Sequence, residues 1–358
     1  MERLKNRVKG LRLALAVLVF TGCGVGRVVA TAYSTNVNGA VTDFTQIGTG
    51  GTPGTVPSWF FEAAQTFNIN NDSLHGFVEL RGGFTINDSV NIYLGLIPPV
   101  GGTITFAGTG SILTLDRDLY LSTGATIAVT GVSASIDGSG ASGTSRTIFM
   151  GGDLTIPTTK TINTSGGLII DGQGNKLTLN GTFAVAAADT LTLKNMTLVL
   201  PGSLITFGNA ASKLILNNVV IELSGNFATS ASGLIEIHNC VEIHGKGKTF
   251  TLQNDNASAL AIQANSVLYV NNGVTFKYDV AATTYITFTD ATSWLYFDGA
   301  TFNFLGRSVT LATGNVAFDN YVQIVGSSET DILTLTNLAN VEVLSGARVA
   351  VATAKMVF

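Results

Sequence analysis

The stretch that decides the fold runs from residue 168 to residue 179 and reads LIIDGQGNKLTL. A short apolar strand is followed by a polar turn over residues 171–175 and by a second, alternating strand over residues 176–179. The same frame recurs along the chain, with turn positions at residues 172, 195, 218, 239, 272 and 299. These positions are 23, 23, 21, 33 and 27 residues apart, which is typical of a solenoid whose loops vary in length.

Stacking explains why such repeats fold together. A single repeat cannot bury its apolar face, whereas stacked copies form parallel sheets around a continuous core. Residues 101–358 predict on the order of 11 coils spaced ~4.8 Å apart. The predicted interior includes Leu214, Leu216, Ile221, Leu223, Leu295, Phe297, Phe302 and Phe304. One column of turn residues is predicted to form an amide hydrogen-bond ladder: Asn195, Asn218, Asn239 and Asn272.

The repeat at residues 168–179 resembles that of right-handed parallel β-helix proteins of the pectin-lyase-like group, and the resemblance in pattern covers about residues 101–346. It implies an all-β, right-handed parallel β-helix solenoid with a short N-terminal capping helix, which would hide the open edge of the first coil. The residues themselves also predict a short helix there. Behind Ser58 as N-cap, apolar residues recur at helical spacing: Trp59, Phe60, Ala63, Ala64 and Phe67.

The composition excludes several classes of protein. Charged residues make up 12% of the chain, hydrophobic residues make up 46%, and the net charge is −4. A nucleic-acid binder that relies on a basic face is therefore excluded. The apolar content is also too high for an intrinsically disordered chain.

The first 32 residues are predicted to be a secretory signal peptide, since a basic stretch over residues 1–12 precedes 14 uncharged residues over 13–26. Two cleavage sites compete. Ala30-Thr31-Ala32 favours a soluble product that begins at Tyr33, whereas residues 20–23 resemble a bacterial lipobox with Cys23 as the lipidated residue. The lipobox usually begins with Leu, and here Phe20 stands in that place. The protein is thus expected to be exported, to the extracellular space or the cell surface, and to the outer membrane if it is lipidated.

Three segments follow from this organisation. Residues 1–32 form the signal peptide, residues 33–100 form a linker and N-terminal cap region, and residues 101–358 form the parallel β-helix. The cysteines add little, because Cys240 stands alone once Cys23 is removed or acylated.

By resemblance, β-helix enzymes that act on polysaccharides carry their catalytic groups on one outer face. By resemblance, a polygalacturonase-like site would need Asn-Thr-Asp, Asp-Asp and Gly-His-Gly motifs, and the chain contains none of them. No catalytic residue, metal ligand or cofactor is therefore predicted. The richest polar spot has two Glu-x-His pairs that alternation turns outward, Glu236, His238, Glu242 and His244. These pairs are suited to metal binding or acid–base chemistry, or they form part of a solvated outer face.

Two functions remain in contention. In the first, the chain is a non-enzymatic, secreted or surface-attached bacterial β-helix that acts as an adhesin, a binding protein or a structural rod. Its partners would be carbohydrate or a protein on a host or other cell surface, with no nucleic acid and with membrane contact only through a lipid anchor. The alternative is a carbohydrate-active lyase or hydrolase that acts on a polysaccharide.

Overall fold

The protein is a parallel β-solenoid, seen in a computed structural model. The described residues are 32–35, 58–61, 65–67, 73–80, 84–86, 91–97, 103–106, 111–115, 118–121, 123–139, 143–253, 259–271, 273–280, 283–304 and 306–358. They contain strands and turns and no helix. Consequently, they also contain no helix of the length and hydrophobicity that a membrane span requires.

The strands are short and follow one another along the chain. In chain order they are β1 Ala32–Thr35, β2 Ser58–Phe61, β3 Gln65–Phe67, β4 Ser73–Leu80, β5 Phe84–Ile86, β6 Asn91–Ile97, β7 Thr103–Phe106, β8 Ser111–Thr114, β9 Leu119–Leu121, β10 Thr126–Val129, β11 Ser133–Asp137, β12 Thr147–Met150, β13 Leu154–Ile156, β14 Thr161–Ser165, β15 Ile169–Asp171, β16 Lys176–Leu179, β17 Thr182–Val185, β18 Thr190–Leu200, β19 Ile205–Phe207, β20 Lys213–Leu223, β21 Phe227–Ala228, β22 Leu234–His244, β23 Thr249–Leu252, β24 Leu260–Ile262, β25 Val267–Val270, β26 Thr275–Tyr278, β27 Ile286–Phe288, β28 Trp294–Asp298, β29 Thr301–Asn303, β30 Val309–Leu311, β31 Asn315–Asp319, β32 Tyr321–Val325, β33 Ile332–Leu335, β34 Asn340–Val343, β35 Arg348–Ala352 and β36 Lys355–Val357.

The sheets run along the axis of the solenoid, because each strand pairs in parallel with strands of neighbouring coils. The longest column is β9-β12-β15-β18-β20-β22-β25-β28-β31-β34, so ten coils of the described chain contribute to it. A second wall is built by β8-β11-β14-β17-β19 and, farther along, by β21-β23-β26-β29-β32-β35. The fold is thus the expected all-β, parallel solenoid of the right-handed type, with about 10 turns.

The structure does not confirm the capping helix predicted behind Ser58. At this place it has two strands, β2 and β3, and residues 62–64 between them lie outside the described part. β2 pairs in parallel with β1 and β4, and β3 pairs with β5. Aromatic residues favour strands when a neighbouring strand is available, and this preference competes with helical spacing.

The core is a continuous apolar column. All eight interior residues predicted from the alternation are buried, among them Leu214 and Phe302. Aromatic rings stack from coil to coil, with centroid distances of 5.0 Å from Phe227 to Phe250, 5.6 Å from Phe250 to Phe276 and 5.9 Å from Phe276 to Phe302. Each coil therefore buries its apolar face against the next one, as the repeats require.

Candidate functional site

Each of the long strands β18, β20 and β22 bends at an internal corner, and this corner separates two outer faces of the solenoid. Asn195, Asn218 and Asn239 adopt left-handed backbone angles there, with φ of 52°, 54° and 55°. Asparagine tolerates this region better than most residues with a Cβ. In β18 and β20 the inside–outside alternation resets at the asparagine, so each strand bends and belongs to two faces of the solenoid.

The asparagine side chains of β18 and β20 are linked between coils. Asn218 Nδ2 donates to Asn195 Oδ1 at 3.3 Å, and Asn195 Nδ2 donates to the Asp171 carboxylate at 3.1 Å. Asp171 also contacts Lys194 Nζ at 3.2 Å. A carboxylate in the coil below therefore terminates this part of the ladder.

The ladder changes partner at the next coil. Between the pairs Asn217–His238 and Val219–Val241 the register shifts, because β22 has one more residue at the corner than β20. Asn239 Nδ2 therefore donates to Asn217 Oδ1, at 2.7 Å. Asn272 lies outside the described residues. Val270, two residues before it, pairs with Ile243, at the far end of β22 from the Asn239 corner.

The first Glu-x-His pair lies before this corner. The carboxylate of Glu236 lies between two side chains, with Lys213 Nζ 2.6 Å from one of its oxygens and His238 Nε2 3.1 Å from the other. Burial raises the pKa of Glu236, but its hydrogen bonds to Lys213 and His238 outweigh burial and hold that pKa below its ordinary value. Glu236 is thus stabilised as a carboxylate, which suits an ion pair better than a general acid.

The second pair lies after the corner. His244 Nε2 is 2.9 Å from Glu242 Oε2 and 3.2 Å from Asn271 Nδ2 of the next coil. Cys240 Sγ lies 4.0 Å from the other oxygen of Glu242. The structure joins each histidine to the glutamate two residues before it, and it places the two pairs on different arms of β22.

Among the residues that the structure describes, no group of three or more His, Cys, Asp or Glu side chains is close enough to hold a metal ion. Cys23, the candidate for lipidation, lies outside the described residues.

A second group of outward side chains was not singled out from the sequence. Tyr269 of β25 and Tyr296 of β28 are register partners, and their rings lie 4.8 Å apart, tilted by 49°. Trp294 points to the same side as Tyr296, because it lies two residues earlier on the same strand. The alternation of Trp294-Leu295-Tyr296-Phe297 could have revealed these residues, since Leu295 and Phe297 belong to the hydrophobic core and Tyr296 does not.

We call this group, together with its polar neighbours, the aromatic face. It consists of Glu242, His244, Tyr269, Asn271, Trp294, Tyr296, Asp298 and Asp319. The hydroxyl of Tyr296 donates to Asp319 at 2.9 Å. Burial, reinforced by this hydrogen bond, raises the pKa of Tyr296 far above its ordinary value, so the phenol remains a neutral donor.

A further stack of outward aromatic residues lies on the other arm of the sheet. Tyr120 and Phe149 are register partners with nearly parallel rings, 4.7 Å apart, and Tyr120 is 44% exposed. In the following coils the same column continues with Asp171 and Lys194. The outer surface of the solenoid thus carries aromatic rings and polar groups in rows along its axis.

No protein-family model, no curated protein and no solved structure matches the chain.

Proposed function

We propose that this chain is an exported, non-enzymatic right-handed parallel β-helix of the pectin-lyase-like type, which acts at the cell surface as an adhesin or a structural rod. Its partners are carbohydrate or a protein on a host or other cell surface. The predicted signal peptide supports export, and Cys23 supplies the lipid anchor if the lipobox is used.

One observation carries the non-enzymatic part of this proposal. The acidic groups of the predicted polar cluster are engaged with neighbours: Glu236 with Lys213 and His238, and Glu242 with His244. Hydrolysis of a glycosidic bond ordinarily uses two carboxyl groups that flank the bond, one of them with a raised pKa. Glu236 and Glu242 instead lie on different arms of β22, and the pKa of Glu236 is lowered.

The test is a polysaccharide-degradation screen on the exported protein, with reducing ends and unsaturated products as the two readouts. The proposal expects no cleavage of any polymer, and a glycan array is expected to show binding. Cleavage of any polymer would overturn it, and loss of that cleavage when Glu236→Gln and His238→Ala are introduced together would locate the activity at the first Glu-x-His pair. Mass measurement of the mature protein distinguishes a start at Tyr33 from an acylated Cys23.

A further inference from the structure

The aromatic face is unusual because its rings point away from the core. The large phenylalanine side chains in this region, such as Phe276, Phe297 and Phe302, are fully buried inside the solenoid. Tyr269 and Trp294 point outward and are only half-buried. An outward aromatic cluster contributes little to the core, and such rings are common where a protein binds a ligand.

The rings of this face are held in place before any ligand arrives. Tyr296 is 8% exposed, and its hydroxyl is fixed by Asp319. Asp319 is itself 8% exposed and accepts a second hydrogen bond, from the backbone N–H of Asn320 at 2.8 Å. Tyr269 packs on Tyr296 from the coil below. A surface that is ordered in advance loses little entropy on binding.

Hydrogen-bonding groups border the rings along one side. His244, Asn271 and Asp298 each follow directly after one of three register partners, Ile243, Val270 and Phe297. They therefore form a row along the axis, parallel to the row of Glu242, Tyr269 and Tyr296. This row offers both donors and acceptors to hydroxyl groups. Asp298 accepts a hydrogen bond from Asn320 Nδ2.

The charge of the face limits what binds there. Its residues include three carboxylates, Glu242, Asp298 and Asp319, whereas His244 is the one member that can be cationic. A polyanion such as a polyuronate would be repelled by this arrangement. Neutral polysaccharides that are rich in hydroxyl groups are not subject to this electrostatic repulsion.

We infer that the aromatic face binds a neutral polysaccharide whose chain runs along the solenoid axis. Pyranose rings pack on Tyr269 and Trp294, and their hydroxyls bond to His244, Asn271 and Asp298. The coil spacing of ~4.8 Å is close to the length of one pyranose unit, so successive sugars lie over successive coils, one at Tyr269 on β25 and the next at Trp294 on β28. This inference rests on the binding role proposed above and specifies its ligand class.

The test measures the affinity of the full chain for neutral hexasaccharides of glucose, xylose, mannose and N-acetylglucosamine by titration calorimetry. Trp294→Ala and Tyr269→Ala are each expected to weaken binding about tenfold, equivalent to ~1.4 kcal/mol. The matched control is Tyr321→Ala. Tyr321 is 47% exposed and lies on β32, in a different sheet, beneath the Arg348 guanidinium. This control should bind as the parent does.

Trp294→Phe and Asn271→Ala keep the test decisive if Trp294→Ala does not fold. Trp294→Phe retains a ring and should lose less affinity than Trp294→Ala, and Asn271→Ala should weaken binding without removing a ring. Affinity should also change little with salt, because the ligand is uncharged.

Three results would overturn the inference: no binding to any neutral hexasaccharide, equal losses in the Trp294 and Tyr321 variants, or tighter binding of a galacturonate hexamer. None of them would show that the chain is an enzyme. Cleavage of a polymer would instead contradict the proposed function, so the two failures are distinguishable.

Discussion

Replacing Phe276 with alanine is expected to destabilise the solenoid by about 3–5 kcal/mol. The ring is fully buried and lies in register between Phe250 and Phe302, with centroids 5.6 and 5.9 Å away. Parallel ladders fix the coils at ~4.8 Å, so the neighbouring rings cannot move together without breaking backbone hydrogen bonds. The cavity should therefore remain largely open, which places the loss towards the upper end of this range.

The measurement is urea unfolding of the full chain, followed by far-ultraviolet circular dichroism. Thr275→Ala is the matched control, because Thr275 precedes Phe276 on β26 and points outward. Its effect should lie within about 0.5 kcal/mol of zero. If Phe276→Ala cost no more than Thr275→Ala, the stacked aromatic core described here would be refuted.

Three further predictions concern the turns. Asn218→Ala should lower the free energy of unfolding by about 2 kcal/mol, because alanine is strained in the left-handed region and the hydrogen bond to Asn195 is lost. Asn218→Gly should lower it less, because glycine adopts φ of 54° freely. Equal losses of melting temperature in the two variants would contradict this. Gly172→Ala should lower the melting temperature, since the new Cβ would meet Met196 Cβ at 2.4 Å, and an unchanged value would show that the coils yield there. Hydrogen bonds from the backbone N–H groups of Ser327, Gly306 and Ser328 and from the Ser327 hydroxyl hold the pKa of Asp331 at about 2, below its ordinary 3.8. Asp331 therefore stabilises the fold above about pH 4, and this contribution is lost towards pH 2. Asp331→Asn should therefore be less stable than the parent at pH 7 and nearly equal to it at pH 2, and a constant difference in urea midpoint would exclude this pH dependence.

The solenoid could be predicted because its cause is local. Alternating residues with period two identify the inward side of each strand, and Ile235, Ile237, Val241 and Ile243 are buried as that alternation requires. The capping helix predicted at the N-terminal end is not confirmed, since the structure has strands at Ser58–Phe61 and Gln65–Phe67. Helical spacing of aromatic residues did not take account of the neighbouring strands with which β2 and β3 pair.

The candidate site could be predicted only in part. The burial pattern of β22 agrees with the outward alternation of Glu236, His238, Glu242 and His244, and the two pairs lie on opposite sides of the Asn239 corner. The sequence could not show which residues of the neighbouring coils each pair meets. The decisive feature is the extra residue at the corner near Asn239, which shifts the register with β20. The aromatic face was not predicted, because Tyr269 and Tyr296 are 27 residues apart and only the register between β25 and β28 brings their rings together.

The sequence by itself determined the stacked coils, the inward residues of each strand and the asparagine turns, since these depend on residues that are close together in the chain. Only the tertiary structure decided which outward residues of successive coils become neighbours. The loops between coils vary in length, so the register is determined by interstrand hydrogen bonds and not by spacing in the sequence. For this reason Asn239 meets Asn217, and Tyr269 lies between Glu242 and Tyr296.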